Sequence, residues 1–451
     1  MPFWFKPRCP LDTGEKAWTE YRLRWLVDRF GLDLINRVEF LLPEDLWAKP
    51  WKGTEAEAEK ILDQVCARME TPRERLSLEF VDDDQLPNAV GHYDYSDWRP
   101  TIRIARSQLE DPVALSATLA HEVAHDVLLA GKYQIGNEAD LEDVTDLLPT
   151  IYGAGLFAAN ATVRSTNWRS GNWEGWNISK QGYLPSRTFG YAFALLTLFR
   201  DECDPPWAER LRPDAAEAFR LGLKFLRGGG DTLFHPASYR SNRRDPTPGE
   251  LLQQLQHASP TFRLAALWDV AEPDAVTVDA VVDCLGDRDP HVAAAAGHRL
   301  AELDFIHERG RDELVRRLES PIEIVRLGVI HAVGRLRLSP GESLGILKRL
   351  LFHESRAVSL AAVIAVGRFG EEASALAPQL VKALERANMR RDPDAIEAAA
   401  KAIWNLVPIP DDLLRDVYAG GDRELYQLAR SALRSTRIDP MASAPLTEDD
   451  D

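Results

Sequence analysis

The segment His121-Glu122-Val123-Ala124-His125 sets two imidazoles four residues apart with a carboxylate beside the first. On an α-helix, positions i and i+4 share a face, so both rings can reach one metal ion. Glu122 lies about 100° round the helix from His121, within reach of a water in the ion's open position. The chemistry this arrangement suits is metal-assisted hydrolysis, with Zn2+ as the ion, His121 and His125 as ligands and Glu122 as general base. Leu115, Leu119, Val123 and Val127 recur every four residues on the other side and predict a buried back face. A catalytic zinc ion needs a third protein ligand. Glu142 and Asp146 stand one turn apart in the next predicted helix. That spacing suits a ligand carboxylate followed by one that holds the distal N–H of a ligand histidine. Glu138, one turn before Glu142, shares its face and is a second candidate ligand.

The elements around this segment must present it. Residues 15–75 read as helices separated by Gly31 and a loop from Pro43 to Gly53. Thr54 followed by Glu57 forms a capping-box pattern, opening a helix through Met69. Leu76–Val81 and Thr101–Ala105 alternate in hydropathy as half-buried strands do, with a weaker strand between Asn88 and Tyr95. Asp111-Pro112 then supplies a carboxylate cap and a first-turn proline for the helix carrying His121. Pro149 follows Asp146 by three residues, deprives the Thr145 carbonyl of its helical partner and predicts a kink.

At 451 residues the chain is expected to form two or three domains. No stretch reaches the roughly 20 apolar residues of a membrane helix. The first residues show no apolar core with a cleavage site, so no signal peptide is expected. Four scattered cysteines suit a reduced compartment, and a cytoplasmic protein is predicted. A net charge of −17 opposes binding to phosphate backbones, which argues against nucleic acid as a partner. Between Arg309 and Arg368, however, eleven Lys/Arg face six Asp/Glu. Arg317, Arg326, Arg335, Arg356 and Arg368 in that basic strip would suit an acidic protein partner.

Beyond a linker rich in glycine, proline and charge, the sequence repeats. Val292–Leu303, Val325–Leu336 and Val358–Phe369 align at a spacing of 33 residues, with small and aliphatic residues at helical period. Such a pattern predicts a helical solenoid, whose long surface suits recruitment of a protein. The repeats resemble HEAT-like units over residues 250–435.

From His121 to Asp146 the chain resembles the gluzincins, zinc metallopeptidases with HExxH on one helix and ExxxD on the next. The resemblance implies that His121, His125 and Glu142 hold zinc, that Glu122 is the base, and that Asp146 orients a histidine. Asp126 departs from the pattern, because peptidases of this kind usually carry an uncharged residue there. Leu128 and Gly131 stand where a metzincin would have a glycine and its third histidine. The front segment also resembles a group of uncharacterised bacterial zinc-site proteins, which implies a fold but no substrate.

The expected architecture is mainly α with a small β-sheet. Residues 1–75 would be a helical region packed on a zincin-like α+β peptidase domain at 76–235. A linker at 236–249, an α-solenoid of HEAT-like repeats at 250–435 and an acidic disordered tail at 436–451 would follow. The expected substrate is a protein or peptide. Tyr183 and Tyr191 are candidate donors to the oxyanion, Tyr183 the stronger, and Arg187 is a candidate anchor for a substrate carboxylate. The alternative is a protein-binding scaffold whose zinc site is structural or catalytically idle.

Overall fold

The computed structural model describes residues 7–406 apart from 48, 87–88, 96–98, 131–139, 162–183, 237–238, 240–244, 272 and 304–305. Tyr183, Glu138 and the acidic segment 436–451 lie outside the described residues. The chain is mainly helical with, among the described residues, one small sheet, and it divides into two compact units. The first comprises residues 1–246 and 257–265; the second comprises 247–256 and 266 onward. Among the described residues, no helix is long and apolar enough to cross a membrane.

The first unit opens with helices α1 (Thr13–Phe30), α2 (Leu32–Arg37), α3 (Pro43–Leu46) and α4 (Glu55–Arg68). Reciprocal capping boxes start α1 at Asp12 and α4 at Thr54, satisfying backbone donors that have no helical partner. Strands β1 (Ser77–Val81), β2 (Gly91–Asp94) and β3 (Thr101–Ala105) then form a sheet in the order β1-β3-β2. β1 runs parallel to β3, with Ser77 opposite Thr101. β2 runs antiparallel to β3, with Tyr93 opposite Ile102. Alternation holds along β3: Ile102 and Ile104 are fully buried, whereas Thr101 and Arg103 are half-buried.

Helix α5 (Pro112–Ala130) follows the sheet. Asp111 Oδ1 accepts the amides of Val113 and Ala114, so the expected carboxylate cap is present. α5 packs against α4, β2, α6 (Leu141–Ile151) and α7 (Gly155–Ala161). It is therefore enclosed on several sides, and the expected single buried stripe is too narrow. Leu115, Leu119, Val123 and Leu128 are all fully buried, whereas Val127 is only half-buried. Steps of four residues advance 40° beyond a full turn each time, so the row has rotated away from the core by Val127. Pro149 sits in the last turn of α6, and its own carbonyl accepts the amide of Ala154 as the chain leaves the helix. Helices α8 (Ser186–Phe199) and α9 (Pro213–Arg227) pack closely together and complete this unit's main helices.

α10 (Pro248–Leu255) belongs to the second unit, and α11 (Pro260–Asp269) crosses the division. The second unit continues with α12 (Ala275–Cys284), α13 (Pro290–Glu302), α14 (Glu308–Arg317) and α15 (Glu323–Leu336). α16 (Pro340–Leu350), α17 (Arg356–Phe369), α18 (Ala377–Met389) and α19 (Pro393–Leu406) follow. α13 packs on α15, α15 on α17 and α17 on α19. Small residues set the spacing. A methyl on Gly328 would lie 2.5 Å from the Ala294 carbonyl oxygen, and one on Gly334 would lie 2.7 Å from Ala365 Cα. Arg299 Nε donates to the Leu267 carbonyl (2.8 Å) and Arg335 Nε to that of Ala301 (2.8 Å), filling acceptors at the ends of neighbouring helices.

Candidate metal centre

His121 and His125 project from the middle of α5 toward Glu142 at the start of α6, and the three form a cluster able to hold a metal ion. His121 Nε2 lies 3.1 Å from His125 Nε2 and 3.2 Å from Glu142 Oε2. His125 Nε2 lies 3.5 Å from the same oxygen. Two ligands that each stand 2.0–2.1 Å from a tetrahedral ion are separated by about 3.3 Å, so this triangle fits an ion of zinc's size.

The chemistry of the donors agrees with their spacing. His121 Nδ1 lies 2.7 Å from Asp146 Oδ1, which places a proton on Nδ1, so that in the neutral ring Nε2 is an acceptor facing another acceptor, the carboxylate of Glu142. Positive charge must sit between such groups. Burial opposes charge on His121, but the hydrogen bond and charge of Asp146, aided by Glu142, outweigh it and hold its pKa well above the usual value. When a proton occupies that place, hydrogen bonds from the histidines hold the Glu142 carboxyl far below its usual range. Protons and a cation would compete for this place. Glu142 is 49% exposed, so the cluster opens to solvent on its side.

Asp146 is buried and uses both oxygens, the second accepting the Leu184 amide at 2.7 Å. Its helix is anchored near Glu142 by Asp140, which accepts Trp18 Nε1 (2.6 Å) and a bidentate pair from Arg22 (2.7 Å each). α1 therefore fixes where Glu142 begins its helix. Glu122 is only 4% exposed, and burial raises its pKa.

Two contributors were not evident from sequence. A methyl on Gly91 would lie 2.5 Å from Glu122 Oε1 and 2.5 Å from Thr118 Cγ2, so the absence of a side chain lets edge strand β2 lie against the carboxylate. Tyr93, two residues on and on the same face of β2, places its ring parallel to His125, with centroids 6.1 Å apart. Alternating small and aromatic residues in a short strand were the only trace of this arrangement.

Two candidate substrate-binding residues are engaged in other contacts. Tyr191 is fully buried in α8 and its hydroxyl donates to Glu20 at 2.6 Å, so it cannot serve an oxyanion. Arg187 pairs with the buried Glu15, its Nε donating to both oxygens at 3.1 Å. The basic strip is also engaged within its own unit. Arg317 pairs with Glu313, Arg326 donates to the Ser320 carbonyl, and Arg335 braces Ala301. Arg356 pairs with Asp392 and Asp394, while Arg368 reaches His331. Of these five, Arg317 and Arg356 meet carboxylates, while Arg326, Arg335 and Arg368 keep their charge against neutral partners.

No protein-family model matches the chain, and no curated protein matches it.

Proposed function

We propose that the chain is a zinc-dependent peptidase of gluzincin type, with a zincin-like catalytic domain in the first unit. The observation that carries this reading is the triangle of His121 Nε2, His125 Nε2 and Glu142 Oε2, whose edges of 3.1, 3.2 and 3.5 Å suit a tetrahedral ion. Bound there, zinc would acidify a water and polarise the scissile carbonyl. Asp146 holds the His121 ring through Nδ1, keeping Nε2 free to ligate. Glu122 accepts the proton of the attacking water and returns it to the departing amine nitrogen. Its carboxylate stands one residue from His121 on α5 and is buried, which suits a base held against the centre.

The second unit would be a solenoid of HEAT-like repeats that recruits a protein substrate or partner. The packing of α13, α15, α17 and α19 in succession supports this reading. The scaffold alternative, with an idle zinc site, draws on the commitment of Tyr191 to Glu20 and of Arg187 to Glu15. Comparing the peptide termini released from a proteome by wild type and by Glu122→Gln separates the two. Termini released by wild type alone support the peptidase. Equal release by both proteins overturns the role of Glu122.

A further inference from the structure

The two histidines of the centre are held differently. His121 has Asp146 on its distal nitrogen, whereas His125 has no hydrogen bond to its Nδ1 among the described residues. An imidazole without such a bond can rotate about its side-chain torsions, and a ligand free to rotate weakens a metal site. What lies against His125 is the ring of Tyr93, inclined by 17° at a centroid distance of 6.1 Å, an offset stack. Tyr93 is itself fixed. Its hydroxyl donates to Asp126 Oδ1 at 2.7 Å, and Arg75 Nη2 donates to the same oxygen at 2.9 Å. Tyr95 stacks on its ring at 6.4 Å. Arg75 lies just ahead of β1 and Tyr93 lies in β2, the two outer strands of the sheet. Asp126, only 2% exposed, thus ties both outer strands to α5 one residue beyond His125. This gives the charged residue at position 126 a task.

We propose that Tyr93 is the positioning residue for His125: its ring sets the imidazole plane, and Asp126 with Arg75 holds the ring in place. The inference rests on the metal centre described above and concerns how tightly that centre binds its ion. Without the stack, His125 samples orientations that turn Nε2 away from His121 and Glu142. Loss of partners that orient a ligand commonly weakens metal binding about 10–100-fold.

The test measures zinc affinity of the full chain by chelator competition and the visible bands of the cobalt-substituted protein. Tyr93→Leu should weaken zinc binding by about tenfold or more and alter the cobalt bands. Tyr93→Phe, which keeps the ring, should recover most of the affinity and the wild-type bands. Wild-type affinity and bands in Tyr93→Leu would overturn the proposal, as would an equal loss in Tyr93→Phe. A measurement on wild type covers failure of Tyr93→Leu to fold: nuclear Overhauser contacts between the Tyr93 and His125 rings are expected, and their absence overturns the stack. Failure of wild type itself to bind zinc would instead overturn the metal centre.

Discussion

Gly91→Ala offers a narrow test of how the sheet serves the site. The added methyl would stand 2.5 Å from both Glu122 Oε1 and Thr118 Cγ2, whereas ordinary contact begins at 3.4 Å. The overlap is about 0.9 Å on two sides, well inside the repulsive wall. Thr118 has little freedom to yield, because its hydroxyl bonds the Ala114 carbonyl at 3.1 Å and Gln108 at 3.2 Å. β2 is held to β3 by its ladder and to α5 by the bond from Tyr93 to Asp126. The carboxylate of Glu122 must therefore leave its place, or the strand must lift, at a cost of about 1–3 kcal/mol. Misplacing a reacting group by about 1 Å can lower turnover on the order of 100-fold. Steady-state peptide hydrolysis alongside metal analysis reads both effects. Turnover should fall about 100-fold while zinc content holds, because no ligand is touched. Wild-type turnover in a folded Gly91→Ala protein would refute the placement of Glu122 against β2.

Other outcomes follow from the same contacts. Asp146→Ala removes the partner of His121 Nδ1 and should weaken zinc binding about 10–100-fold, read by chelator competition. Gly328→Val forces a side chain onto the backbone of α13 and should lower stability by about 1–3 kcal/mol in denaturant unfolding, with zinc content unchanged. The second unit should lose stability in acid. Burial, with His331 and Arg368 nearby, pushes His298 down to about 3, and burial, with Arg368 and Arg335, pushes His331 down to about 4. Unfolded histidines take up protons near pH 6.5, so between that value and about 4 the unfolded chain binds more protons and stability falls as pH falls. His298→Gln should flatten that dependence in unfolding measured from pH 7.5 to 4; an unchanged slope would contradict it.

The legible parts of this protein are those in which cause and consequence lie close in sequence. The two histidines and Glu122 occupy one turn of α5, and Glu142 and Asp146 one turn of α6, so helical geometry alone groups them. The cap at Asp111 and the box at Thr54 act on amides two or three residues away. β1 and β3 showed themselves by alternation, whereas among the described residues β2 covers only Gly91–Asp94 of the expected Asn88–Tyr95 run. What sequence hid is long-range. Asp126 looked anomalous because its partners, Tyr93 and Arg75, are 33 and 51 residues away. Tyr191 and Arg187 looked free for substrate because Glu20 and Glu15 lie 171 and 172 residues earlier, on α1. Local spacing can propose ligands, but it cannot show which polar groups the core has already engaged.

The central claim is that His121, His125 and Glu142 hold one zinc ion that Glu122 serves without ligating. Elemental analysis of purified wild type, Glu142→Ala and Glu122→Gln tests it in one measurement. The predicted result is one zinc per chain in wild type and in Glu122→Gln, with loss of most of it in Glu142→Ala. Full zinc in Glu142→Ala, or a wild-type protein that binds none, would contradict the account.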